Sequence, residues 1–112
     1  MEYDVFTPMG ASYALQAQAP APAGVQLPAW KDGGKIQYRF VNTGTVGAWV
    51  VYGTSPAAAQ AAAVIPSAGS SNPGWYILPG TVEIFSAPPG QYWSAVTAGP
   101  STLLFITPGQ GG

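Results

Sequence analysis

The chain has 112 residues, 47% of them hydrophobic and 12% aromatic, with a formal net charge of -1; that is the length of one domain, with enough apolar material for a core. It holds neither cysteine nor histidine, which excludes disulfides, thiolate chemistry, zinc–thiolate sites and the commonest general base at neutral pH. Charged residues make up only 6%, against roughly 25% in an ordinary soluble domain, so mutual repulsion does little to keep copies apart and neighbours are expected to cover part of the weakly polar surface.

The start, Met1-Glu2-Tyr3-Asp4, is acidic and no apolar h-region follows, so no secretory signal is expected. Residues 1–24 read as an extended N-terminal arm, and residues 25–112 as a single β-sandwich domain. Within the arm, Tyr13, Leu15 and Ala17 alternate on one side of a short strand, and Ala19-Pro20-Ala21-Pro22-Ala23-Gly24 favours extended polyproline geometry. Docking of this arm on a neighbour and wrapping over its own barrel are both open at this stage.

Beyond the arm, strands follow one another between glycine and proline breakers. In Lys35 to Val41, Ile36, Tyr38 and Phe40 face one way and Gln37 and Arg39 the other, the pattern of a half-buried strand. Ala48-Trp49-Val50-Val51-Tyr52 is apolar on both sides, which predicts a strand covered on both faces, either central in the sandwich or under a neighbouring subunit, with Trp49 in the core. Ser55 as N-cap, Pro56 at the first position and repeated alanine predict a short helix over 56–63, crossing one end of the sandwich. Four further strand-length runs start at Trp75, Thr81, Gln91 and Thr102, each closed by a Pro/Gly breaker. Their short spacing predicts antiparallel neighbours, so the expected fold is all-β: an antiparallel β-sandwich or jelly-roll-like small barrel with one short helix.

No catalytic constellation emerges. Serines abound, but no histidine can activate them, and Lys31 and Lys35 lie in a Gly-rich turn. Gly33-Gly34-Lys35 lacks the spacing and the following helix of a phosphate loop. The acids Glu2, Asp4, Asp32 and Glu83 are too scattered for a glycosidase pair or a calcium cage. The expectation is a non-enzyme without cofactor or metal. With three basic residues it cannot neutralise a run of phosphates, so neither nucleic acid nor membrane is an expected partner; no run of about 18 apolar residues is present either. If Val82 and Ile84 face the core, Glu83 points outward, to solvent or to an intersubunit pair with Arg39, Lys31 or Lys35. The tryptophans Trp30, Trp49, Trp75 and Trp93 admit three roles: core packing, protein contact, or a sugar-stacking platform.

Tyr38-Arg39-Phe40-Val41-Asn42-Thr43-Gly44-Thr45, Ala48 to Gly53, Ile77-Leu78-Pro79-Gly80-Thr81-Val82-Glu83-Ile84-Phe85 and Leu104-Phe105-Ile106-Thr107-Pro108-Gly109-Gln110-Gly111 together resemble a group of small tailed-phage proteins. The likeness spans residues 36–111 and leaves the arm out. It implies a virion component on the outer surface of the capsid, similar to capsid decoration (cement) proteins, with the major capsid protein as partner and a dimer or trimer as its own state. A head-fibre base or tail-associated β-module is the alternative within the virion, and a carbohydrate-binding module the alternative of another class. Candidate contact residues are Tyr13, Leu15, Trp30, Arg39, Trp75, Tyr76, Glu83 and Trp93.

Overall fold

The alternation in residues 36–42 holds strictly. In the computed structural model, which describes residues 6–29 and 34–110, Ile36, Tyr38, Phe40 and Asn42 are buried while Gln37, Arg39 and Val41 are only partly covered. The elements in chain order are β1 (Thr7–Pro8), β2 (Tyr13–Ala17), β3 (Val25–Gln26), β4 (Ile36–Asn42) and β5 (Ala48–Gly53). They continue with α1 (Pro56–Ala62), β6 (Trp75–Ile77), β7 (Val82–Ala87), β8 (Tyr92–Val96) and β9 (Thr102–Gln110).

Two antiparallel sheets pack face to face as an all-β sandwich. The first runs β1-β9-β4-β7, with β2 also paired to β9; the second runs β3-β8-β5-β6. Consecutive strands are mostly not partners. The chain passes from one sheet to the other at β6–β7, β7–β8 and β8–β9, where hairpin neighbours were expected. The connections, residues 78–81, 88–91 and 97–101, are longer than the two-residue loops of the tightest hairpins. They arch across the roughly 10 Å between packed sheets.

Trp93 occupies the centre of the core. It is fully buried, with ring centroids 5.6 Å from Tyr38, 5.1 Å from Phe40 and 5.0 Å from Tyr52. The separations and tilts suit edge-to-face packing. Burial raises the Tyr38 pKa above its ordinary value, because a phenolate has no place in an apolar interior. Ile36, Ile77, Leu104 and Ile106 fill the remaining space.

The expected helix is present as α1, with Ser55 Oγ accepting from Ala58 N at 3.1 Å and proline in the first turn. It lies on the outer face of the second sheet, not across an end. Ala63 packs there with Val51 and Ala21, which is how β5 comes to be covered on both faces.

Of the two readings left open for the N-terminal segment, its described residues take the one in which it wraps over its own barrel. From Thr7 onward it belongs to the sandwich: β2 pairs with β9 along its whole length, and Leu15 and Ala17 are core residues. The Ala-Pro run is tied to its own chain by Gln60 Nε2 donating to Ala21 O (2.9 Å) and Ser94 Oγ donating to Pro22 O (2.7 Å). Prolines lack the N–H but keep a carbonyl, so this run serves as an acceptor for side chains beneath it. Residues 1–5 of the expected arm lie outside the described residues.

Candidate functional site

Strand parity decides which side chains reach the surface of the first sheet. Phe40, which is core, stands opposite Glu83, whereas Val41 stands opposite Val82 and Arg39 opposite Ile84. Val82 and Ile84 therefore share the outer face with Val41 and Arg39, and are 45% and 49% exposed. This reverses the expectation that they face the core. In the run 82–85 the charge of Glu83 makes Val82 and Ile84 the apparent core side; the register with β4, the burial of Ala87 and the packing of Phe85 against the core show that the other parity is in.

The same register extends across the sheet. Val41 is opposite Phe105, and Phe105 is opposite Ala14, so Val82, Val41, Phe105 and Ala14 form one apolar row over four strands. Phe105 and its neighbour on the same face, Leu103, are 40% and 38% exposed. Opposite side chains within such a row lie about 4.5–5.5 Å apart, which makes the row a continuous surface.

The flank beside this face is open. β7 ends the first sheet and β6 ends the second, and both lie on the same side of the sandwich. Phe85 and Trp75 stack across the gap at 4.7 Å, and Tyr52 stacks on Trp75 at 5.9 Å. All three rings are half-buried. Leu78, in the turn after β6, is 56% exposed, whereas Tyr76 stands opposite Trp49 and faces the outer side of the second sheet. Leu78, Val82, Ile84, Leu103 and Phe105, all exposed, belong to this flank or to the sheet face next to it.

The position of the flank depends on Asn42, which is buried. Its Nδ2 donates to Val46 O at 2.9 Å and Ile77 O at 3.2 Å, and its Oδ1 accepts from Gly44 N at 3.0 Å and Thr102 Oγ1 at 2.6 Å. Its backbone closes on Thr81 O and Gly80 N. The side chain thus uses all of its hydrogen-bonding groups to join the end of β4 to β6, β9 and the turn that carries Leu78 and Pro79. Gly80 in that turn has φ +73, a conformation that glycine adopts without strain.

The sequence candidates fall into distinct places. Trp75 and Glu83 lie on the flank, Arg39 on the outer face of the first sheet and Tyr76 on the outer face of the second. Tyr13 is half-buried at the far edge, opposite Ile106. Leu15 and Trp93 are corrected to core residues, 4% and 0% exposed, and have no surface to offer a partner. Trp49, expected in the core, points to the outer side of its sheet, where its Nε1 donates to Pro73 O at 2.8 Å. Trp30, Lys31 and Asp32 lie outside the described residues. Arg39 and Glu83 leave the sheet on opposite faces, so the register does not place them as a pair. Val82, Ile84, Leu78, Leu103 and Phe105 are the surface residues that sequence reasoning missed.

Among the described residues no group of three or more His, Cys, Asp or Glu gathers as a metal site, and no helix is long and apolar enough to cross a membrane. Comparison with protein-family models, with curated proteins and with solved structures finds no match. The class is defined by the fold alone: an antiparallel β-sandwich with an apolar sheet face and an open flank.

Proposed function

We propose that this chain is a non-enzymatic structural protein of a phage virion, a capsid decoration protein that sits on the outer surface and bridges major capsid subunits. The observation that carries the assembly part of this reading is the apolar row Val82–Val41–Phe105–Ala14 on a sheet face of low charge. The described charged side chains are Lys35, Arg39 and Glu83 alone, so little desolvation of charge opposes contact. The phage setting rests on the sequence resemblance. Burial of the face contributes at roughly 25 cal/mol per Å² before association costs, and repetition over a symmetric shell multiplies a weak contact.

A sugar-stacking role fits less well. Trp75 spends ring contact on Phe85 and Tyr52, Trp93 is buried, and Trp49 is held by Pro73.

The test is binding of the free protein to purified capsids of the phage that encodes it, lacking their own copy. Saturable binding is expected, and Phe105→Asp should weaken it about tenfold or more, the effect of burying an unpaired charge, with the unfolding midpoint little changed. Absence of the protein from mature particles, together with no binding to these capsids, would reject the proposal.

A further inference from the structure

We infer that β7 is a pairing edge whose occupant is the β7 of a second copy, joined antiparallel about a two-fold axis with Ile84 opposite Ile84 of the second copy. The inference rests on the reading that the protein works by assembly, but not on the capsid as the place.

The edges of the two sheets differ in how they are protected. The lane formed by β1 and β2 is interrupted between Pro8 and Tyr13, β3 has two residues, and β6 has three before it runs into Leu78-Pro79. β7 has six residues, and among the described residues no strand pairs along its far side. It contains no proline and no lysine, and of the usual devices against edge pairing it carries one, the charge of Glu83 on the parity of core Phe40. Alternate N–H and C=O groups of such an edge point away from the sheet and can pair with another strand.

The sequence of β7 then selects one register. Opposite residues in an antiparallel pair lie on the same face, so even-numbered residues must meet even-numbered ones. A two-fold axis at Glu83 sets the two carboxylates side by side, which like-charge repulsion disfavours. An axis at Phe85 sets Val82 against Pro88, which has no N–H to give. An axis at Ile84 avoids both. It places Ile84 on Ile84, Val82 on Ser86 and Glu83 on Phe85, and it continues the apolar outer face from one copy into the next.

The area sets the affinity class. Six residues span about 20 Å, and the two sheet edges together are about 20 Å deep, so the flank offers about 400 Å² per copy and about 800 Å² in all. That is below the roughly 1,200–2,000 Å² of a standing complex. The dimer is therefore reversible, with a dissociation constant of roughly 10–1,000 µM, and fills where copies are crowded.

Sedimentation equilibrium over a concentration series should show a monomer–dimer equilibrium in that range. Ile84→Lys should weaken it about tenfold or more, and Leu103→Lys, on the same face but away from the edge, should leave it unchanged. The chain has no cysteine, so a single introduced thiol is decisive even if the lysine variant does not fold. Opposite residues have Cα atoms about 4.5–5.5 Å apart, within disulfide reach, so Ile84→Cys should cross-link to a dimer much faster than Leu103→Cys. A wild-type chain that stays monomeric at the highest concentration, or equal cross-linking of the two cysteine variants, overturns the inference. Dimers without capsid binding would keep this edge and reject the capsid; capsid binding by a persistent monomer would do the reverse.

Discussion

Replacing Trp93 by alanine is expected to lower the unfolding free energy by about 3–5 kcal/mol. Few substitutions in this chain should cost more. The indole is fully buried between the sheets, against Tyr38, Phe40, Tyr52 and Trp75. The loss has two parts: the transfer free energy of the ring, and a cavity that four anchored aromatic neighbours are poorly able to fill. Since domains are stable by only about 5–15 kcal/mol, a loss of this size removes a large share of the total. Trp93→Phe keeps most of the apolar volume and should lose about 1–3 kcal/mol. Urea unfolding followed by far-ultraviolet circular dichroism measures both; a loss below about 1 kcal/mol in the alanine variant would contradict the central position given to this ring.

Asn42→Ala should cost about 3–5 kcal/mol, for a different reason. The substitution strands the carbonyls of Val46 and Ile77, the N–H of Gly44 and the hydroxyl of Thr102. A buried polar group left without its partner forfeits about 1–3 kcal/mol, and water entering the site recovers part of the sum. Thr102→Val removes a single one of these bonds and should cost about 1–2 kcal/mol. The two variants also differ in reach: loss of Asn42 frees the Leu78–Thr81 turn, so amide exchange there should rise more than elsewhere. Equal stability of Asn42→Ala and the wild type would remove the basis for treating this side chain as the lock of the flank.

Much of the sandwich was legible because single residues committed the backbone. The strict alternation of Ile36, Tyr38 and Phe40 admits one face only, and Ser55 followed by Pro56 and alanines starts a helix by cap and pre-set φ. What the sequence left open shares a cause. Trp49 sits in a run apolar at both parities, where periodicity carries no information on which side is inward, and around Ile84 the alternation with Glu83 points the wrong way. In β5 and β7 the choice comes from long-range register, set by pairing with β8 and β4. The sheet-switching connections were hidden for a related reason: Pro-Gly breakers announce that a strand ends, not which sheet receives the next one. The segment 1–24 looked separable because Ala-Pro repeats occur in arms, yet Leu15 and Ala17 complete the core of the same molecule.

Exposed apolar residues in a folded domain need no explanation singly. Their concentration over residues 78–84 and 103–105, beside an edge guarded by a single charge, is what gives this protein a side. Hydrogen exchange compared between the dilute free protein and the protein on particles tests that directly. Slowed exchange is expected in residues 82–86 and 103–105, with α1 on the opposite sheet unchanged. Protection confined to α1 and the outer face of the second sheet, or no protection anywhere, would contradict it.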